Sequence, residues 1–255
     1  MSHHITEVKD LHYIYPGGHK AINGISFEIH HGESVGVIGA NGAGKSTLLM
    51  LLMGVLFPCK GEVSVGEVLV TKKTLPIIRQ RVGMVFQNPD DQLFMTTVYD
   101  DVAFGPRNYK LEEKEVEKRV LQSLEMVGIV HLRDRAPYKL SGGEKRAAAI
   151  ASVLSMKPDI LVMDEPSSAL DPKSRRRLMK LLKSFEHTKI ITSHDLDMIY
   201  ELCARTIVVK NGEIAADGPT SEILMNAELL DTCGLEMPLA LQGCPVCGKG
   251  EMNKE

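Results

Sequence analysis

This sequence has no excess of positive charge, no long apolar run and few cysteines, and each of these features argues against a class of protein. Lysine and arginine total 30 against 33 aspartates and glutamates, which leaves a net charge of −3. We therefore expect no general basic face and no nucleic-acid partner bound by phosphate neutralisation. The longest apolar run, Leu48 to Phe57, is too short to cross a bilayer. Five cysteines indicate reduced thiols rather than a disulfide framework.

The sequence also lacks internal repeats, low-complexity tracts and, in its first residues, an apolar secretory region. We therefore expect a cytosolic protein that meets a membrane only through a partner. Apolar residues make up 44% of the 255 positions, which is enough for a full core. One large domain, or a core with a subdomain, is the expected organisation.

Short apolar runs that end in turns or polar residues predict a series of strands. These runs occupy residues 11–18, 25–29, 34–38, 61–66, 81–86, 159–165 and 189–194. Asn211-Gly212 separates two further runs and predicts a hairpin. From Asn88 to about Lys157 the apolar residues recur at helical spacing instead. The pattern indicates an α/β core interrupted by a helical insertion.

The most specific motif is the phosphate-binding pattern G-x-x-x-x-G-K-[ST], which follows a predicted strand and precedes a predicted helix. The sequence matches it at Gly39-Ala40-Asn41-Gly42-Ala43-Gly44-Lys45-Ser46-Thr47. Glycines let backbone N–H groups approach an anion closely, and the following helix presents its positive end. Lys45 is then placed to reach the outer phosphates, and Ser46 to hold Mg²⁺.

Polar side chains end several of the other apolar runs, where α/β proteins place functional groups. Asp164 is a candidate Mg²⁺ ligand beside Ser46. Because neighbouring side chains of a strand point to opposite faces, Glu165 is not directed like Asp164 and is free to polarise an attacking water. A helix cap is the alternative for this acidic pair. Gln87 and His194 could both reach a terminal phosphate, although a histidine in a core is the commoner case.

Ser141, at the start of a predicted helix, opens a second candidate anion site with Gly142 and Gly143. The phosphate loop already supplies one anion site for the nucleotide of its own chain. The second anion site is therefore expected to bind the nucleotide of another copy of the chain. The sequence therefore suggests a nucleotide held between two subunits.

Together these residues resemble the ATP-binding subunits of ABC transporters over roughly Ile5 to Leu224. The shared motifs are the phosphate loop, Gln87, Leu140-Ser141-Gly142-Gly143, Ile160 to Glu165, Ser168-Ala169-Leu170-Asp171 and His194. The resemblance implies a P-loop, RecA-like α/β ATPase core with an antiparallel β subdomain and an inserted α-helical subdomain. It places the core and β subdomain at 1–87 and 158–218, the helical subdomain at 88–157, and short helices with a cysteine-containing tail at 219–255.

The resemblance implies ATP and Mg²⁺ as cofactors and assigns a role to each site residue. Tyr15, which could equally be an ordinary surface or core tyrosine, would stack on adenine. Ser141, Gly142 and Gly143 would engage the γ-phosphate across a dimer, and Asp171 would couple the two sites. The expected catalytic residues are Glu165 as general base, His194 as γ-phosphate sensor, Gln87 and Lys45, and the expected Mg²⁺ ligands are Ser46, Gln87 and Asp164.

A narrower resemblance lies in Gln87 to Phe94 and in Asp100 to Pro106, which are similar to the energy-coupling-factor subgroup. The His-rich N-terminus and Tyr13-Ile14-Tyr15-Pro16 look most like the cobalt or nickel uptake branch, with vitamin uptake as the alternative. The resemblance implies a second ATPase subunit, most simply a homodimer, a transmembrane coupling subunit and a substrate-binding membrane subunit. It places the chain peripherally on the cytoplasmic face of the membrane, with Asp90 and Asp91 contacting basic coupling helices; a solvated acidic turn is the alternative.

The sequence departs from the family pattern at two positions of the signature helix. Glu144 stands where the family usually has glutamine, and Ala147 stands where arginine is common, with Arg146 adjacent. In the tail, Cys244 and Cys247 have the spacing of a zinc knuckle, but one pair supplies only two ligands, so exposed thiols are expected and a metal site is the alternative. A soluble ABC switch and a nucleotide-binding scaffold without catalysis are the competing functions; the presence of Glu165 and His194 disfavours the second.

Overall fold

The computed structural model describes residues 4–242, which contain two β-sheets. The smaller sheet contains β1 (His4–Ile14), β2 (Lys20–His30), β4 (Lys60–Val65) and β5 (Val68–Leu69). These strands are antiparallel and lie in the order β2-β1-β4-β5. The larger sheet contains β3 (Ser34–Ile38), β6 (Val82–Val85), β7 (Ile160–Asp164), β8 (Thr188–Thr192), β9 (Arg205–Lys210) and β10 (Glu213–Pro219).

The larger sheet has the strand order β10-β9-β3-β8-β7-β6. From β9 to β6 every neighbouring pair is parallel, and β10 joins antiparallel to β9 through the Asn211-Gly212 hairpin. All five residues of β7 and of β8 are buried, as expected for strands covered on both faces. Because the strands are parallel, the residues that follow β3, β6, β7 and β8 meet at one edge of the sheet.

Helices cover the sheet and fill the long connection between β6 and β7. The helices of the described chain are α1 (Lys45–Leu52), α2 (Leu75–Arg81), α3 (Val98–Asn108), α4 (Glu113–Val127), α5 (Gly142–Leu154), α6 (Pro172–Ser184), α7 (Leu196–Leu202), α8 (Thr220–Met225) and α9 (Ala227–Thr232). Short 3₁₀ turns lie at Pro89–Asp91, Val130–Leu132, Pro137–Lys139 and Leu239–Leu241. Within residues 4–242, no helix is both long and apolar enough to traverse a bilayer.

The buried apolar residues form two clusters, one on each side of the larger sheet. One cluster joins α1 to the antiparallel sheet, and the other joins the inserted helices α3, α4 and α5 to α6 and α7. Val116, Val120 and Leu124 lie on one face of α4 and are fully buried, as their spacing predicted. Ala148, Ala149 and Ala151 of α5 are also fully buried, and their small side chains let neighbouring elements approach closely.

The predicted fold class is confirmed: an α/β ATPase core carries an antiparallel β subdomain and a helical insertion. The Asn211-Gly212 hairpin and the strands that lead to the candidate site also lie where the sequence predicted them. The sequence pattern did not reveal α2, in which Ile78 is buried while most other residues are exposed or half-buried. An element with so little buried surface has no apolar periodicity to detect.

Candidate functional site

The phosphate loop lies between the end of β3 and the first residue of α1, and it can be formed only by glycine at two positions. Gly44 adopts φ 111°, and a Cβ there would lie 2.5 Å from the carbonyl oxygen of Ala21. A Cβ on Gly39 would lie 2.2 Å from the carbonyl oxygen of Val209. The loop is therefore pressed against neighbouring backbone, with the N-terminus of α1 facing the cavity that it encloses.

Lys45, the first residue of α1, holds its ammonium group inside this loop. Its Nζ donates to the carbonyl oxygens of Gly39 at 2.7 Å and Ala40 at 3.2 Å, and lies 3.5 Å from Nε2 of His194. Burial lowers the pKa of Lys45, and the negative charges of Glu165 and Asp164 oppose that shift. A positive charge surrounded by weak carbonyl acceptors is suited to binding an anionic phosphate that enters the loop.

Glu165 follows β7 directly, and its backbone turns sharply at this point. The residue has φ 47°, in the left-handed region, and its N–H donates to the carbonyl of Thr192 at 3.1 Å. Its Oε2 accepts a hydrogen bond from the N–H of His194 at 3.0 Å. Its Oε1 is buried without a hydrogen-bond partner in residues 4–242, although Nε2 of His194 lies 3.4 Å away. The carboxylate thus has one fixed oxygen and one oxygen free to accept a proton.

Strand alternation, from which Glu165 was expected to point away from Asp164, is the wrong reason for the direction of this side chain. β7 ends at Asp164, and the backbone of Glu165 is already in the left-handed region. Its direction is therefore set by the turn and by the hydrogen bond to the His194 backbone, not by strand alternation.

Three oxygen-bearing side chains in this region match the ligands that Mg²⁺ prefers. Asp164 is 5% exposed, and its Oδ1 accepts from the hydroxyl of Thr192 at 2.6 Å. Ser46 and Gln87 line the cavity of the phosphate loop, and neither side chain has a hydrogen-bond partner among residues 4–242. A hydroxyl, an amide and a buried carboxylate with ligand capacity to spare are a donor set that fits Mg²⁺ beside bound phosphates.

A single cavity gathers most of the predicted nucleotide-binding residues. Its lining comprises Tyr15, His19, Ala21, Asn41, Gly42, Ala43, Gly44, Lys45, Ser46, Thr47, Gln87, Glu165 and His194. These residues come from both sheets, from the phosphate loop and from the ends of β6, β7 and β8. Gly39 and Asp164 do not line the cavity themselves; Gly39 accepts from Lys45, and Asp164 precedes Glu165.

His19 is a lining residue that the sequence argument missed. The Tyr15 hydroxyl bonds to Oγ1 of Thr47 at 3.0 Å, which fixes this ring at the mouth of the cavity. The imidazole of His19 is nearly parallel to the Tyr15 ring, with 6.4 Å between centroids and 18° between planes. The Pro16-Gly17-Gly18 turn brings the two rings together. An aromatic residue just after a Gly-Gly turn was the signal that could have identified His19.

The Ser141 turn does not line the phosphate-loop cavity of its own chain, and neither does Asp171. Ser141 caps α5, as predicted, and its N–H and hydroxyl donate to Oε2 of Glu144 at 2.7 and 2.8 Å. These bonds lower the pKa of Glu144, so its carboxylate stays charged at neutral pH and closes a capping box. The departure from glutamine at position 144 therefore strengthens the cap.

Asp171 caps α6 beside the same turn. Its carboxylate accepts from the N–H of Lys173 at 2.9 Å and from the hydroxyl of Ser174 at 2.6 Å. A Cβ on Gly143 would lie 2.6 Å from Oγ of Ser174, so glycine is required for the turn to lie this close to α6. Gly142 and Gly143 therefore present a tight turn at the surface, next to the start of α6.

Arg146, which adjoins the second departure from the family pattern, is 3% exposed. Its guanidinium donates to the carbonyl oxygens of Phe86 at 2.6 Å and Gln87 at 2.5 Å. Ala147 lines a separate cavity between α5 and α6, together with Leu170 and Leu178. The cationic side chain of the signature helix thus points toward Gln87.

An acidic turn and an exposed aromatic pair follow Gln87. Asp90 forms an ion pair with Lys145 of α5 at 2.6 Å, so this carboxylate is already partnered within the chain. Phe94 is 65% exposed and packs edge-to-face on Phe104 with 4.9 Å between centroids. The loop is held by Asp101, which is buried and accepts from the N–H of Phe94 at 2.9 Å. Burial raises the pKa of Asp101.

The proposed zinc knuckle, Cys244 and Cys247, lies outside the described residues. Within residues 4–242, no group of three or more histidine, cysteine, aspartate or glutamate side chains is arranged to hold a metal ion by itself. A Mg²⁺ site here would accordingly need oxygens from a bound nucleotide as well as protein ligands.

Comparisons with known proteins agree with this geometry. The profile of the ABC transporter family matches residues 22–168. A putative ABC transporter ATP-binding protein of Geobacter sulfurreducens is 64% identical over 98% of this chain and 100% of its own length. The energy-coupling factor transporter ATP-binding protein EcfA of Methanothermobacter thermautotrophicus is 49% identical over 91% of this chain and 76% of its own.

Two solved structures share the fold closely. CbiO1 of Clostridium perfringens, a part of the ABC transporter complex CbiONQ, superimposes with a TM-score of 0.80 at 38% identity and covers 91% of this chain and 94% of its own. The ATP-binding cassette MJ0796, solved as a dimer in a post-hydrolysis state with ADP and phosphate, gives a TM-score of 0.77 at 28% identity. That match covers 84% of this chain and 98% of the other.

Proposed function

The chain belongs to the ABC transporter ATP-binding family, and on that premise we propose that it powers an energy-coupling-factor importer for a transition-metal ion, cobalt or nickel. Its general activity is ATP hydrolysis, as for the family. The observation that carries the ATPase part of the proposal is the pairing, in one cavity, of the buried Lys45 ammonium with Glu165, whose Oε1 has no hydrogen-bond partner among residues 4–242. A cation for the phosphates and a free base for water are the two groups that ATP hydrolysis requires.

ATP binds with its phosphates against the phosphate loop. The N–H groups from Asn41 to Thr47 and the ammonium of Lys45 surround the β- and γ-phosphates, and Tyr15 stacks on adenine. Ser46, Gln87 and Asp164 would hold Mg²⁺, which when bound would neutralise phosphate charge. The parallel rings of Tyr15 and His19 offer two aromatic faces to the base.

Glu165 activates the attacking water. Its Oε2 is held by the N–H of His194, so Oε1, which accepts no hydrogen bond among residues 4–242, takes the proton as the water attacks in line. His194 lies between Lys45 and Glu165, with Nε2 3.5 Å from Nζ and 3.4 Å from Oε1. This position lets the imidazole contact the γ-phosphate and report its loss.

A second copy of the chain completes the site. Ser141 and Gly142 are exposed and Gly143 is half-buried at the N-terminus of α5, and all three lie outside the cavity of their own chain. In a homodimer the same turn closes on the γ-phosphate of the partner, as a helix N-terminus binds an anion. Asp171, beside this turn, couples the two sites. The solved neighbour MJ0796 forms a dimer.

The membrane partners dock on the surface that follows Gln87. Asp91 and Phe94 are exposed there, and a basic, amphipathic helix of a transmembrane coupling subunit matches their charge and apolar surface. A further membrane subunit binds the transported ion, and the chain sits peripherally on the cytoplasmic face. The helical subdomain that we propose from the sequence spans residues 88–157. Asp91 and Phe94, and with them the proposed docking surface, belong to this subdomain.

Replacement of Phe94 by serine should weaken capture of the membrane partner about tenfold or more, because exposed aromatic residues dominate interface energies. Basal ATP hydrolysis should stay unchanged, since Phe94 does not line the nucleotide cavity. The measurement is co-purification from detergent extracts, with Met225→Ser, another exposed apolar residue, as the matched control. Equal capture by wild type and Phe94→Ser would show that docking occurs elsewhere.

Two other functions compete with this proposal. A vitamin importer of the same subgroup would use the same ATPase cycle, because solute choice resides in the membrane partner. A soluble ABC switch without transport would use the same site with no membrane subunit. The choice of metal uptake rests on the resemblance at Tyr13-Ile14-Tyr15-Pro16 and on the similarity to CbiO1, a part of the ABC transporter complex CbiONQ.

The deciding experiment expresses the chain with the membrane proteins that co-purify with it and measures accumulation of radioactive cobalt and nickel ions by cells. We expect uptake that depends on the intact ATPase and is lost with Lys45→Ala. Uptake of a vitamin in place of either ion would support the alternative importer. Failure to recover any membrane protein would support the soluble switch.

A further inference from the structure

Arg146 is a buried cation that the proposed ATPase cycle does not use. It lies on α5, five residues after the Ser141 cap, and is 3% exposed. Among residues 4–242, no carboxylate accepts a hydrogen bond from its guanidinium, and its Nε has no partner. Withdrawing a guanidinium from water without a bonded carboxylate is costly, so its contacts have to offset that cost.

Those contacts go to two consecutive backbone carbonyls. Nη1 donates to the carbonyl oxygen of Phe86 at 2.6 Å, and Nη2 donates to the carbonyl oxygen of Gln87 at 2.5 Å. Because the guanidinium fork is planar and rigid, two bonds to neighbouring carbonyls fix both the position and the rotation of this backbone segment. The segment follows β6 directly and carries the Gln87 side chain into the nucleotide cavity.

We infer that Arg146 is a positioning residue that sets the Gln87 amide where it ligates the nucleotide-bound Mg²⁺. The inference rests on the proposed function, in which Gln87 is a Mg²⁺ ligand. Arg146 holds that ligand from behind, through the carbonyls of Phe86 and Gln87, and does not touch the nucleotide. The negative charge of Asp164, another proposed ligand, acts on Arg146 and opposes the lowering of its pKa by burial.

A second side chain secures the same segment to the same helix. The Gln92 amide donates to the carbonyl of Ala149 at 2.7 Å and to Oγ of Ser152 at 3.0 Å, and its oxygen accepts from the N–H of Phe86 at 3.2 Å. The segment from Phe86 to Gln92 is therefore attached to α5 at both ends. When α5 moves relative to the core, Gln87 moves with it, which links the signature helix to Mg²⁺ ligation.

The test is a double-mutant cycle read out by the Mg²⁺ dependence of ATP binding, measured by titration calorimetry, and by the Mg²⁺ requirement of ATP hydrolysis. At saturating ATP, Arg146→Gln should raise the Mg²⁺ concentration for half-maximal rate about tenfold, as loss of a residue that orients a metal ligand does. Arg146→Lys, which keeps the charge but reaches one carbonyl, should give a smaller shift. In a Gln87→Ala background the Arg146→Gln change should add nothing further, because no ligand remains to be positioned.

Lys145→Ala is the matched control, since it removes the neighbouring link from α5 to Asp90 and should leave the Mg²⁺ curve unchanged. If Arg146→Gln shifts the Mg²⁺ curve equally in the wild-type and Gln87→Ala backgrounds, the inference is overturned and the proposed function is left intact. A Gln87→Ala variant with a wild-type Mg²⁺ curve would overturn the inference and the assignment of Gln87 as a ligand, while the proposed function, which is carried by Lys45 and Glu165, would stand. If Arg146→Gln does not fold, as judged by circular dichroism, the cycle with Arg146→Lys decides by the same criteria.

Discussion

Replacing Glu165 by glutamine is expected to lower the rate of ATP hydrolysis at least about a hundredfold while ATP binding is retained. The amide keeps the shape of the side chain and can still accept the hydrogen bond from the N–H of His194. It cannot take a proton at the position of Oε1, which is the free acceptor in the cavity. Lys45 and the phosphate loop are untouched, so nucleotide affinity should change little.

With hydrolysis blocked, the ATP-bound dimer should accumulate. Light scattering with Mg-ATP is then expected to show twice the mass of the 28.1 kDa chain for Glu165→Gln. Glu186→Gln, a change at an exposed glutamate far from the cavity lining, should behave as wild type in both assays. Hydrolysis by Glu165→Gln near the wild-type rate would refute the assignment of the general base.

Lys45→Ala is expected to weaken ATP binding about ten- to a hundredfold, because a charge-assisted hydrogen bond to phosphate is lost. The hydrolysis rate at saturating ATP should also fall about a hundredfold, since the same charge stabilises the transition state. Titration calorimetry and steady-state kinetics measure the two effects. Lys210→Ala, at the exposed end of β9, is the control for loss of one positive charge.

The stability of Lys45→Ala distinguishes a binding defect from unfolding. Burial lowers the pKa of Lys45, so at every pH below that lowered pKa its protonated form favours the unfolded chain. Removing the charge should leave the melting temperature of the nucleotide-free protein equal to or above that of wild type. A melting temperature well below wild type would assign the lost affinity to a damaged fold instead.

Local sequence patterns were enough to predict most of the candidate site. The phosphate loop has fixed residue types because its backbone leaves no room for a Cβ at Gly39 or Gly44. Gln87, Asp164 and His194 follow buried strands, and a parallel sheet brings the ends of such strands to one edge. Each of these predictions needed only residues adjacent in sequence and one general rule of topology.

Contacts between residues distant in sequence could not be predicted in this way. Arg146 and Gln87 are separated by a helix pair, and nothing in the spacing shows that the arginine turns inward. The same holds for the ion pair of Asp90 with Lys145, which leaves Asp91 as the free carboxylate of the docking turn. The left-handed turn at Glu165 is set by bonds to β8, so strand alternation gave the wrong reason for its direction.

The central claim is that each ATP is held by the phosphate loop of one chain and the Ser141 turn of another. Its most direct test mixes Lys45→Ala with Ser141→Arg, two variants that each inactivate one half of the composite site. After subunit exchange, each mixed dimer has one intact site, so about a quarter of the wild-type number of sites should be functional. We predict that the mixture hydrolyses ATP well above the average rate of its components; a rate equal to that average would contradict the account.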